Sequence, residues 1–246
     1  MIRYLIKFVS KKEYAEQLVK GELFTRPAGY YEELEFKEGV GQGDRCEGLI
    51  SGVGQIKMRM DHPIFCLYSV TEDEIVEDTI KISTDLIDTF KCIDGYAVLI
   101  DFNKFENLLK SKEFTFNIRF GPVHYGYIPD ELMSDFFSYK LESNLFIKVP
   151  RFSYQKEYRI EFVENLERSI LRDVDLGEHS GNELYNGHIV DISSWNDVFK
   201  IYHLPRDLKD CTRILKIADL KEKDEYYIHL PEMDRDTEKI FLNLKG

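Results

Sequence analysis

The 246-residue chain has one tryptophan, seven prolines and four cysteines, and what it lacks closes off several classes of protein. Cys46, Cys66, Cys92 and Cys211 are scattered with no CxxC spacing, which argues against a zinc knuckle and a small disulfide framework and fits a reduced compartment. Cys66 and Cys92 stand in apolar, strand-like surroundings, where an inert buried thiol is expected rather than a nucleophile. No apolar run approaches the roughly 20 residues of a membrane-spanning helix, and the apolar stretch of MIRYLIKF is too short for a signal-peptide core. A soluble, cytoplasmic protein with no membrane partner is the expectation. No GxGxxG joins a strand to a helix, and GxxxxGK[ST], HExxH and GxSxG are absent, so Rossmann, P-loop, zincin and nucleophile-elbow assignments fail. The six histidines (His62, His124, His179, His188, His203 and His229) are isolated in sequence and read as structural. No metal is expected, and no carboxylate cluster of the kind a metal-dependent nuclease needs is visible.

Formal net charge is −12, from 33 basic and 45 acidic residues. A surface of that sign repels a phosphate backbone, so non-specific nucleic-acid binding is not the default, although a local basic groove stays open. Acid clusters at Glu72, Asp73, Glu74, Glu77 and Asp78. An inhibitor that mimics nucleic acid by its acidity is therefore an alternative, opposed by the interspersed basic residues.

Hydrophobic residues make up 43% of the chain, enough for a substantial core, and 17 Phe and 15 Tyr recur in short β-like runs. The segments 2–8, 56–60, 64–70, 95–102, 113–120, 123–128 and 157–162 read as strands. Helical spacing appears over 11–20, with Ser10 as N-cap and Gly21 as stop, over 102–109 after Asp101, and over 129–138 after a proline start. Several successive strands leave no room for crossover helices, which predicts α+β: mixed, mostly antiparallel sheet with flanking helices. Residues 1–165 form the core domain. Residues 166–246, containing GHIVDI, SWNDVFKIYHL and EYYIHL, read as a sheet extension or cap of the same domain with Trp195 as a packing anchor; a separate partner-binding lobe is the alternative. The glycine-rich, polar stretch Gly29–Gly54 reads as a long loop, either a lid over a site or a variable surface loop, with Asp44 and Glu47 as solvated acids.

KEYRIEF, residues 156–162, is the most informative segment. Alternation puts Tyr158, Ile160 and Phe162 on one strand face and Glu157, Arg159 and Glu161 on the other. A carboxylate and a guanidinium two residues apart on one face can bind a polar ligand, orient it and stabilise developing positive charge. The plain alternative is a solvated face of mutually neutralising charges. In IRYLIKF the same alternation places Arg3, Leu5 and Lys7 opposite Tyr4, Ile6 and Phe8, so two strands with one charged face each are expected to line a common cleft. A lone lysine on an edge, snorkelling to water, is the alternative for Lys7.

The order of the pieces YLIKF, KGELFTRPAGY, GDRCEG, FCLYS, GYAVLIDF, the run Val123–Tyr127, FIKVPRF and KEYRIEF resembles a large bacterial family grouped with abortive-infection proteins such as AbiGi, over about two thirds of the chain. LYS stands where the family commonly has FS, and Gln155 replaces one of two paired carboxylates. The resemblance implies a role in phage defence or phage–host conflict and an ADP-ribosyltransferase-like fold acting on NAD. Carried over by order, Lys7 or Arg3 holds the nicotinamide ribose, Ser69 with Tyr68 takes the middle-strand role, and Glu157 is the carboxylate that stabilises an oxocarbenium-like transition state. Arg159 then pairs with Glu157 or with a pyrophosphate oxygen. Glu157, Ser69 and Lys7 are the expected catalytic residues, and Arg3, Lys7, Tyr68, Ser69 and Arg159 the NAD-binding ones. Glu161 is expected to be a surface charge. A nucleotide-type ligand, a protein or nucleic-acid target and an immunity or regulatory partner follow from the same resemblance. A binding module without turnover stays open beside the enzyme.

Overall fold

The computed structural model describes residues 1–31, 34, 61–126, 145–148, 150–163, 182–185, 188–191 and 198–230. In chain order the strands are β1 (Ile2–Val9), β2 (Glu22–Pro27), β3 (Pro63–Thr71), β4 (Ile75–Val76), β5 (Thr79–Ile82), β6 (Tyr96–Asp101), β7 (Ile118–Pro122), β8 (His124–Tyr125), β9 (Ile147–Lys148), β10 (Glu157–Phe162), β11 (Asn182–Tyr185), β12 (His188–Asp191), β13 (Lys200–His203), β14 (Thr212–Lys216), β15 (Lys221–Glu222) and β16 (Glu225–His229). Three α-helices lie wholly within the described residues: α1 (Lys12–Val19), α2 (Thr84–Thr89) and α3 (Phe102–Leu109). One eight-stranded sheet dominates, ordered β13-β2-β3-β1-β6-β14, with β10 on the other edge of β3 and β7 beyond β10. A four-stranded sheet, β15-β16-β5-β4, covers part of it. Among the described pairs all but β8–β9 are antiparallel, so the architecture is mixed α+β. No helix among the described residues is long and apolar enough to cross a membrane.

Strand alternation sorts the core into two layers. Leu5, Phe65, Leu67, Val98, Ile100, Tyr158, Ile160 and Phe162 face α1 and α3, meeting Ala15, Leu18, Phe105 and Leu109. Tyr4, Ile6, Tyr68, Val70, Ala97 and Leu99 face the small sheet and α2, meeting Ile80, Ile82, Leu86, Ile87, Tyr226 and Ile228. Each fully buried Leu or Ile contributes about 2 kcal/mol of transfer free energy. The β13 and β14 segments pair with β2 and β6 at the two ends of the central row of strands.

Several local expectations need correction. Ser10 is not the cap of α1; Lys11 occupies that position in extended conformation, and no side chain caps the helix. Gly21 does end the turn, at φ +87, and Asp101 caps α3 by accepting from Lys104 N at 3.0 Å. The strand expected over 113–120 begins only at Ile118. Its aromatics serve a corner: Phe114 is buried, and the Phe116 ring meets Phe114, Phe162 and Tyr202 edge-on. Of the described residues of the next expected strand, 123–126, His124–Tyr125 pair as one; 127 and 128 lie outside the described residues. Residues 28–31, at the start of the expected loop, are helical. The remainder of Gly29–Gly54 apart from Leu34, the strand 56–60, the helix 129–138 and Trp195 lie outside the described residues.

One departure from a regular sheet positions everything that follows. β1 pairs with β3 only as far as Ile6↔Tyr68, yet it continues along β6 to Val9↔Tyr96. The same edge of β3 is next met by β2, at Arg26↔Ile64. Among the described residues, 65–67 of β3 therefore face no strand on that edge, and a gap opens between β1 and β3. Gly95 lets β1 follow β6, because a Cβ there would lie 2.3 Å from Val9 O and 3.0 Å from Cys92 O, both backbone atoms. Gly95→Ala is expected to cost about 2 kcal/mol by forcing these chains apart, read as a lowered midpoint in urea unfolding.

Candidate functional site

The gap holds a cavity of about 240 Å³. Its walls come from the end of β1 (Ile6 to Ser10), from Cys66, Leu67 and Tyr68 of β3, and from Tyr31, Phe90, Lys148, Gln155, Glu157 and Arg159. Four of the residues nominated from sequence meet there: Lys7, Tyr68, Glu157 and Arg159.

They arrive by a different route from the one alternation suggested. Glu157 lies opposite Tyr68, and Tyr68 opposite Ile6, so the Glu157–Arg159–Glu161 face is the face of Tyr4 and Ile6. Lys7 pairs with Val98 and belongs to the opposite, helix-side face. The two charged faces do not face each other across a cleft; Lys7 reaches the cavity through the opening that β1 leaves beside β3. Its Nζ donates to Cys66 O at 2.8 Å and sits 4.5 Å from the Phe65 ring centre. That carbonyl points at the edge β1 has vacated, so the lysine satisfies a backbone group stripped of its ladder partner. Burial lowers the Lys7 pKa, with Cys66 and the Glu157 charge acting the other way.

Every residue of β10 is buried, which overturns the solvated-face alternative for KEYRIEF. Glu157 is 6% exposed and Arg159 1%. Ionised groups so placed must be paired, since an isolated buried charge costs more than a domain's whole stability. Arg159 Nε and Nη2 both contact Glu157 Oε1 at 2.7 Å, and Arg159 Nη1 donates to Leu145 O. Lys148 Nζ lies 2.8 Å from Glu157 Oε2 and donates to Gln155 Oε1 at 3.0 Å. Glu157 N donates to Tyr125 Oη at 2.8 Å. Burial works to raise the Glu157 pKa, but Arg159 and Lys148 outweigh it and hold the carboxyl well below the usual range. Burial and the Glu157 charge push the Cys66 thiol up to about 12, so it stays protonated beside the carboxylate and reacts only when the site opens locally. Burial likewise raises the phenol pKa values of Tyr31, Tyr68 and Tyr125. Among the described lining residues three cations, Lys7, Lys148 and Arg159, face one carboxylate.

Two nominated residues are elsewhere. Arg3 lies four residues back along β1, roughly 13 Å at the rise of a strand, with its guanidinium 5.8 Å from the Tyr4 ring centre, and it does not line the cavity. Ser69 does not line it either: its Oγ donates to Lys156 O at 2.6 Å and its N to the same oxygen at 2.8 Å. Glu161, expected at the surface, is 0% exposed. His62 Nδ1 sits 2.6 Å from its Oε1, and Arg119 Nη1 is 3.5 Å from both oxygens. Ala28, Ile64 and Leu145 form an apolar cluster of their own, packed with Tyr31 and Cys66 beside the cavity. Lys148, Gln155 and Tyr31 also line the cavity; Lys148 lies in the FIKVPRF motif and Gln155 in the place of a paired carboxylate, but none of the three is nominated from sequence as a site residue. Their roles depend on β9, the turn 150–155 and the residues after β2 folding onto β10. Among the described residues no three of His, Cys, Asp and Glu converge as metal ligands.

Comparison with protein-family models, curated proteins and solved structures finds no match to this chain.

The depressed pKa of Glu157 ties stability to acid. A carboxyl held below its ordinary value of 4.5 contributes stability fully present above about that pH and lost as pH falls towards the folded-state value. Glu157→Gln leaves two buried cations short of a counter-charge and is expected to cost about 3 kcal/mol at pH 7. The penalty should shrink as the pH is lowered below 4.5, where the wild type gives up the same interaction. Urea titrations of both proteins from pH 7 to pH 3 measure this; a pH-independent difference would overturn it.

Proposed function

We propose that the protein is an ADP-ribosyltransferase-like effector that takes NAD into this cavity and modifies a macromolecular target in phage–host conflict. The observation that carries the reading is the convergence of Lys7, Tyr68, Glu157 and Arg159, nominated from three separate segments, on one cavity. The excess of positive charge among its described lining residues suits a phosphate-bearing ligand. At about 240 Å³ the cavity takes one nucleoside-sized portion, such as a nicotinamide riboside, and leaves the rest of a dinucleotide outside. Tyr31 and Tyr68 offer the ring an aromatic wall.

The chemistry assigned to Glu157 is electrostatic. The bond between nicotinamide nitrogen and ribose C1 breaks with its electron pair leaving on the nitrogen, which turns the pyridinium into neutral nicotinamide. The cation left on the ribose faces the carboxylate and is captured by a nucleophile of the target, which releases a proton. Both Glu157 oxygens are engaged in the unliganded site, Oε1 by Arg159 and Oε2 by Lys148. A phosphate drawing Lys148 to itself frees Oε2 for the ribose and exchanges one anion for another.

That engagement also favours a second reading, a binding module for a nucleotide signal in which Glu157 only fixes Arg159 and Lys148. Labelled NAD incubated with the protein and cell lysate separates the two. The enzyme predicts label on a macromolecule and free nicotinamide, both reduced about 100-fold or more in Glu157→Gln, a variant first checked for folding by near-UV circular dichroism. Saturable NAD binding in calorimetry without nicotinamide release supports the module. Neither binding nor turnover sinks both.

A further inference from the structure

The segment between Gln155 and Glu157 carries a backbone irregularity. Lys156 has φ 40, the left-handed region that an ordinary side chain enters at a cost and where glycine or asparagine is usual. It lies between the turn 150–155 and β10, and its two neighbours are the residues that hold Lys148 from either side, Gln155 at 3.0 Å and Glu157 at 2.8 Å. A residue held against its backbone preference must be fastened by its surroundings, and Lys156 is fastened at both ends. Its carbonyl accepts from Ser69 N and Ser69 Oγ. Its ammonium pairs with Glu74. Glu74 is in turn fixed by Thr71, whose N and Oγ1 donate to Glu74 Oε2 at 3.0 and 2.8 Å. Ser69 and Thr71 belong to the end of β3, just past the cavity wall formed by Cys66 to Tyr68.

We infer that Ser69 and Glu74 are positioning residues of the cavity: by clamping Lys156 in its left-handed conformation they set Gln155 and Glu157 around Lys148. Neither lines the cavity. The clamp assigns Ser69 a role at one remove from chemistry, and it turns Glu74, one of the five clustered acids, inward to support the site. The inference rests on this cavity being the functional site, but its test needs no ligand, so it does not stand or fall with NAD.

Cysteine alkylation supplies the measurement. Cys66 lines the cavity against Glu157, whereas Cys92 is packed under the small sheet at 2% exposure and reacts only when the fold opens widely. Iodoacetamide labelling at pH 8.5, followed peptide by peptide in a mass spectrometer, gives both rates in one sample. Ser69→Ala is expected to raise the Cys66 rate about fivefold, the effect of one lost hydrogen bond on local opening, while Cys92 stays unchanged. Ser69→Thr, which keeps the hydroxyl, restores the wild-type rate. Glu74→Gln, at a partly exposed position, gives a smaller rise of the same pattern and carries the test if Ser69→Ala folds poorly. Equal acceleration of Cys66 and Cys92 would mark a general loss of stability and overturn the inference; so would no change at Cys66.

Discussion

Three charged side chains on one strand, fully or almost fully removed from water, are the constraint around which the rest is arranged. Glu157, Arg159 and Glu161 follow one another along the same face of β10. None is tolerable there alone, so each requires partners from distant segments: Lys148 from β9, the Leu145 carbonyl before it, His62 at the entry to β3 and Arg119 from β7. The polar strip thus fixes which segments must fold onto β10, and does so more narrowly than apolar packing does, because an ion pair specifies direction as well as proximity. The opposite face of the strand, Tyr158, Ile160 and Phe162, needs only apolar neighbours and finds them under the helices.

The second constraint is the separation of β1 from β3. In an uninterrupted sheet the edge of β3 at Cys66 would be spent on β1. The close approach of Gly95 to Val9 keeps the end of β1 on β6, and Lys7 occupies the carbonyl that β1 no longer reaches. A sheet gap of this kind gives a cavity with preset walls. It places a cation from one sheet face beside a carboxylate from the other, an arrangement that no single strand face provides. The tyrosines that line it keep the interior apolar enough that the ionic contacts inside retain their strength.

Much of this was legible in the chain, for identifiable reasons. Period-two alternation placed Tyr158, Ile160 and Phe162 against the core and Glu157, Arg159 and Glu161 opposite, and the register confirms it. Alternation says which residues share a face but not whether that face is wet, and it cannot foretell that Glu161 is buried, because its partners, His62 and Arg119, lie 99 and 42 residues away. It is equally silent on where paired strands part company, and the assumption of one shared cleft for Lys7 and Glu157 failed for that reason. Ser69 stands in the right strand next to Tyr68, but its hydroxyl is turned to the Lys156 carbonyl by a left-handed residue that a lysine codon does not announce. Lys148 and Gln155 flank a turn, and only the meeting of that turn with Glu157 gives them a function.

The signs of charge separate what the surface does from what the cavity does. The chain carries −12, yet the described residues lining the cavity carry three cations and one carboxylate. A negative exterior does not steer an anionic ligand towards the site, and beyond about 8 Å at physiological salt its repulsion is screened in any case. Recognition of the proposed phosphate-bearing ligand therefore falls to contact inside the cavity, where the low local dielectric makes each fixed ammonium and guanidinium count for more than it would in water. The clustered acids fit the same division. Glu74 is committed to Lys156 and Thr71, which makes part of that cluster a support for the cation arrangement; the exposed Glu72 is left to shape the exterior field. An acidic surface and a cationic cavity are in this chain two consequences of one layout, in which the turn after β3 spends a carboxylate on holding the residue next to Glu157.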